Sequence, residues 1–192
     1  MEERAEMNQV NNNLSMHPGK FALWLFIVTV VMIFAALTSA YIVKQSEGNW
    51  LEFSLPSAFV LNTVIILLSS VSMQWAYLNA KKDQLDGLKI MLGITLVLGV
   101  FFLVGQFTSW NQLVDSNVYF VGNPAGSFVY VLTGLHGLHL VSAIIFLLVV
   151  FVNALNLKIH SKALVSIEMC ATYWHFLGGL WIYLYVFLLF NQ

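Results

Sequence analysis

Charge is what this sequence has least of. Only 9% of its 192 residues are Asp, Glu, Lys or Arg, where a soluble domain carries roughly 25%. With 59% hydrophobic residues and a mean hydropathy of +0.81, a water-soluble chain of this length could not hide its apolar surface. A soluble fold is excluded. Cysteine is nearly absent too. The single Cys170 rules out an internal disulfide and a cysteine-based metal cluster, and its mid-helix position reads as a small buried hydrophobe. The Asn-rich residues 1–17 lack a basic segment leading into a short apolar run and a small-residue cleavage site, so no signal peptide is expected. This tail is expected to be disordered or to lie on the membrane surface. No internal repeat and no pair of broken apolar segments of the transporter kind is visible.

What is present is a series of long apolar runs. They cover about 20–43, 56–79, 88–110, 126–155 and 163–190, each exceeding the roughly 20 residues that cross about 30 Å of hydrocarbon. The expected fold is an all-α integral membrane protein: residues 18–192 form one domain, a bundle of five transmembrane helices. Basic residues set its orientation. Arg4, Lys20, Lys81, Lys82, Lys89, Lys158 and Lys162 fall in segments sharing one side, and only Lys44 on the other. The positive-inside rule then places the N-terminus in the cytoplasm and the C-terminus in the periplasm.

Chemistry concentrates in the last run. Glu168 is the one acid with apolar residues for many positions on both sides. At about 100° per residue, Glu168, Thr172, His175 and Gly179 share a stripe. Burying an ionisable group in hydrocarbon costs several kcal/mol, so the stripe should face protein. Its expected neighbour is the fourth helix, where His136 and His139 lie three apart, and Glu168 is expected to bond one of those histidines. Gly134 and Gly137 beside His136 suggest a close helix contact there. Small residues four apart, Ala35 with Ser39 and Ala36 with Ala40, suggest another. Trp174 and Trp181 are deep and seven apart, which favours packing. Read from spacing alone, His136, His139, Glu168, Thr172 and His175 could be a structural polar cluster, haem ligands, or a proton-handling group.

The wording of two stretches goes further. TGLHGLHLVSA (Thr133 to Ala143) and EMCATYWHFLGGLWIYLYVFL (Glu168 to Leu188) closely resemble subunit III of the haem-copper terminal oxidases. That family shows a T-G-F-H-G-L-H-V run in one helix and E-x-x-x-x-Y-W-H-F in the last. The resemblance also reaches LFIVTVVMIFAALTSAY (Leu25 to Tyr41) and the region of Gln106 and Trp110. There are departures. Longer members have seven helices, so this chain resembles the short five-helix bacterial form. Val30 stands where members usually carry a buried glutamate. Gly178 and Gly179 replace a common aspartate region, and Ser109 a further acid.

The resemblance implies an accessory subunit of a proton-pumping oxidase of aerobic respiration, without a catalytic or metal site of its own. Haems and copper are expected in partner subunits. Subunit I would pack directly against this chain, with subunit II, small subunits or a larger respiratory assembly beyond it. Phospholipids are expected in a groove for which Trp174, Trp181 and Phe176 are candidate lining residues. Nucleic acid is not among the expected partners. The implied location is a bacterial inner membrane, and the implied role is support of stability, lipid binding and proton uptake in the subunit that reduces dioxygen to water. The alternative from a different class is a haem-b-binding membrane anchor of a quinone-linked respiratory dehydrogenase.

Overall fold

A computed structural model of the chain describes residues 18–48, 50–51, 53–156 and 161–191. The expected tail, residues 1–17, and His160 lie outside the described residues. Five helices account for nearly all the rest: α1 (Pro18–Ser46), α2 (Ala58–Lys81), α3 (Leu85–Asp115), α4 (Pro124–Leu155) and α5 (Ser161–Phe190). All five are long and apolar enough to cross a membrane. Four of them outlast their apolar runs by a few residues and α2 is shifted two residues along its run, because a helix begins and ends where its backbone finds a cap rather than where hydropathy falls.

Those caps are legible locally. At the start of α4 the Asn123 side chain accepts from the Ala125 amide at 2.9 Å, and Pro124 occupies the first helical position, where its missing N–H costs nothing. α2 and α3 both end in left-handed residues, Asp83 at φ 53° and Asn117 at φ 60°. Past α2, Gln84 N–H donates to Asn79 O at 3.0 Å; past α3, Val118 N–H donates to Leu113 O at 2.9 Å. Both are Schellman closures in which a short polar residue stands in for the usual glycine. The first makes α2 and α3 a tight antiparallel hairpin.

α2, α3, α4 and α5 close into a ring, each packing on the next and α5 returning onto α2. α1 stands outside it, leaning on the edge formed by α4 and α5. The ring core is aromatic. Trp181 stacks on Phe59 of α2 (5.9 Å between centroids) and meets Phe102 of α3 edge-on at 4.8 Å. α5 is the most enclosed helix and α1 the least, with 44% and 22% of their apolar windows buried. Residues such as Met32, Phe101, Leu138 and Ile145 point outward, a continuous apolar surface fit for lipid.

Close helix approach occurs at other glycines than expected. A Cβ on Gly99 would stand 2.7 Å from the Trp174 ring, one on Gly178 2.9 Å from Ser70 Oγ, and one on Gly105 2.0 Å from Asn62 Oδ1. Gly137 has open space and Gly134 makes only ordinary contact with Trp110. Ala35, Ala36, Ser39 and Ala40 are exposed: none of the five described helices covers them, because α1 turns its Ile27, Val30, Phe34, Thr38 and Tyr41 face inward.

Candidate functional site

The expected cluster of His136, His139, Glu168, Thr172 and His175 is not one site. Glu168 accepts from Lys20 Nζ at 2.8 Å rather than from a histidine. The reason is geometric: α1 also packs on α5 and brings a cation to the level of Glu168. Thr172 returns its hydroxyl to the Glu168 carbonyl at 2.9 Å. His175 Nε2 donates to Gln74 Oε1 of α2 at 3.1 Å, with the amide oxygen the acceptor.

The α4 histidines diverge from each other. His139 Nδ1 donates to Leu135 O at 2.7 Å, and its ring lies between Phe26 and Phe34 of α1 (6.2 and 5.8 Å). Tyr173 Oη donates towards the His139 carbonyl at 3.3 Å and shares a 2.8 Å bond with Ser142 Oγ. His136 points the other way, into the ring, 5.1 Å from Trp181 and 5.9 Å from Phe102. It is fully buried, and neither ring nitrogen has a hydrogen-bond partner. Three residues along a helix rotate a side chain by about 60° net, enough here to send two imidazoles to different neighbours. Among the described residues no three His, Cys, Asp or Glu side chains come together.

The tryptophans and Phe176 also part company. Trp174 and Trp181 are each 1% exposed. Trp174 Nε1 donates to Ser69 Oγ and Trp181 Nε1 to Thr63 Oγ1, both at 3.1 Å. They bolt α5 to α2 and keep almost no exposed surface. Phe176 does line one. Between α1 and α5 runs an open cleft of about 490 Å³ walled by Val31, Phe34, Ala35, Phe176, Gly179 and Leu180, with His175 and Tyr183 completing it. The bare Gly179 gives it depth, and the Tyr183 and Thr38 hydroxyls, 3.1 Å apart, join its walls. Val30, at the place of the usual family glutamate, is 1% exposed within the core.

Hydrogen bonding across the ring is richer than the motifs suggested. Ser69 and Ser72 bond back to their own helix, and Ser72 also meets Thr95 of α3 at 2.8 Å. Asn62 donates to Ser109 at 3.3 Å and Gln106 at 3.5 Å, and Trp110 Nε1 to Thr133 Oγ1 at 3.0 Å. Asn62 and Gln74 carried no signal beyond being amides in an apolar run. That alone was the clue, since an amide in hydrocarbon needs a partner.

A family model described as cytochrome c oxidase subunit III matches residues 3–191. Similar curated proteins include cytochrome c oxidase subunit 3 of Corynebacterium diphtheriae, 27% identical over 175 residues covering 87% of this chain and 85% of that one. A probable cytochrome c oxidase subunit 3 of Nocardia farcinica is 30% identical over 161 residues, 81% of this chain and 79% of its own. The human cytochrome c oxidase subunit 3 is 29% identical over 181 residues, 87% of this chain and 67% of its own. The five spans, the two histidine-bearing motifs and a match along almost the whole sequence agree: the chain belongs to the cytochrome c oxidase subunit III family.

Proposed function

We propose that this chain is the non-redox accessory subunit of a proton-pumping haem-copper oxidase, packed on the subunit that reduces dioxygen and supporting its stability and proton uptake. The observation that carries the reading is the family match over residues 3–191. The dispersal of the histidines supports it: His136, His139 and His175 serve three different helix contacts. A haem-b anchor needs two axial ligands facing one plane from opposite sides, and His136 and His139 turn away from each other on one helix. Haems, copper and the electron-accepting site then belong to subunits I and II.

In this reading the cleft between α1 and α5 holds a phospholipid acyl chain. Its walls are aliphatic and aromatic, and its length follows the helix axes. Seven basic residues on one side against Lys44 on the other support a cytoplasmic N-terminus and a periplasmic C-terminus, and the match along most of two bacterial relatives supports a bacterial inner membrane.

The test is purification of the oxidase through a tag on this chain, then stripping the chain off and recording reduced-minus-oxidised spectra of both fractions. Haem and copper are expected to stay with the partners, with phospholipid recovered in the stripped fraction. A reducible haem on the isolated chain would overturn the reading.

A further inference from the structure

We propose that the surface around Gln74 and His175 docks a membrane-spanning helix of another oxidase subunit, one carrying a hydrogen-bonding side chain at the same depth. The inference rests on the oxidase-subunit reading, which supplies partner helices, and adds where one of them sits.

Depth comes first. Gln74 lies seven residues before Lys81, the last residue of α2, which is about 10 Å at 1.5 Å per residue. His175 lies seven residues beyond Glu168, whose partner Lys20 is close to the start of α1, again about 10 Å. Two counts on different helices place the pair well inside the hydrocarbon. A glutamine side chain is too short to reach headgroups from there.

Satisfaction comes second. Gln74 is exposed and His175 half-buried. Their single bond uses only one polar atom of the amide, so the NH₂ of this exposed residue is left without a partner among the described residues. Two exposed hydroxyls in the spans are met within their own helices: Thr29 bonds Phe26 O at 2.7 Å and Thr108 bonds Val104 O at 3.2 Å. The Gln74 amide makes no such bond to its own helix among the described residues. Lipid tails offer no acceptor, so an unmet amide here costs free energy that a partner's carboxyl, amide or hydroxyl would recover. The surroundings suit a helix: Trp75 offers a flat exposed ring beside Gln74, and Ser70 and Gly178 keep the α2–α5 seam low.

The experiment uses the intact oxidase. A photoreactive benzoylphenylalanine is placed at Trp75 and, in a second preparation, at Leu138 on the outer face of α4. Irradiation is expected to join position 75, and not position 138, to another oxidase subunit identified by mass. Gln74→Leu should weaken retention of the chain on the complex roughly threefold to tenfold, the worth of one interhelical hydrogen bond in lipid, while Gln74→Asn keeps part of it. The proposal is overturned if position 75 crosslinks only to lipid, to a second copy of this chain or to its own residues 1–17. Unchanged retention of Gln74→Leu would overturn it too. A chain that never purifies with haem-bearing subunits would instead remove the oxidase reading itself.

Discussion

Lys20 Nζ lies 2.8 Å from Glu168 Oε2, joining the first helix to the last across 148 positions of sequence. The pair closes one end of the contact between α1 and α5, whose middle is opened by the cleft. It is also only partly buried: the side chains are 31% and 43% exposed. Pairs of this kind contribute about 0.2–1 kcal/mol. Lys20→Met and Glu168→Gln should therefore each lower the thermal midpoint of the purified oxidase only slightly. Their double-mutant coupling should stay below about 1 kcal/mol and shrink as salt is raised. The haem spectrum of the complex should not move. A shifted haem spectrum with normal assembly would show that Glu168 acts on the redox subunit.

His136 gives the opposite case, a buried polar group with nothing to bond. A buried donor left unmet costs about 1–3 kcal/mol, and an apolar replacement of similar shape can be neutral or stabilising. His136→Leu and His136→Met are expected to hold or raise the melting temperature. His139→Leu should lower it, since His139 holds Leu135 O and packs between Phe26 and Phe34. Loss of oxidase turnover in a fully stable His136→Leu complex would assign that imidazole a chemical role.

How much of this was legible beforehand differs between fold and site. The five spans follow from hydropathy and length, because the bilayer fixes both. The stripe of Glu168, Thr172, His175 and Gly179 is also real as a stripe, since helical periodicity gives angular position on one helix. It cannot say which neighbour stands opposite. Lys20 counted in the sequence as one more basic residue at a helix start, and nothing marked it as the partner of an acid on the last helix. Trp174 and Trp181 were legible as packing residues, and only the resemblance offered them as groove candidates. Their depth was evident, but their reach to Ser69 and Thr63 depends on α5 closing the ring against α2.

Gly99 tests that closure from the other side. A Cβ there would sit 2.7 Å from Trp174 Cη2, and the ring cannot retreat while its indole is held by Ser69 and its body is fully buried. Gly99→Ala should destabilise the chain by about 1–3 kcal/mol through overpacking. Adding Trp174→Phe, which shortens the ring, should restore part of the loss. Equal destabilisation in the single and double variants would show that the clash is relieved by backbone movement instead.

Trp181 and Thr63 offer the clean measurement of what one buried bond contributes in this bundle. Thr63 Oγ1 donates to Phe59 O at 2.8 Å and accepts from the Trp181 indole at 3.1 Å. Thr63→Val keeps the shape and removes the acceptor. Trp181→Phe removes the donor together with ring area against Phe59, Phe102 and His136. A double-mutant cycle in bicelles cancels the ring area and leaves the bond, expected at about 0.6–1.7 kcal/mol. A coupling near zero would mean that flat stacking on Phe59, not the indole N–H, sets how α5 meets α2. The bonds of Trp174 to Ser69 and of His175 to Gln74 would then remain as polar bolts between these helices, and Ser69→Ala should destabilise more than Thr63→Val.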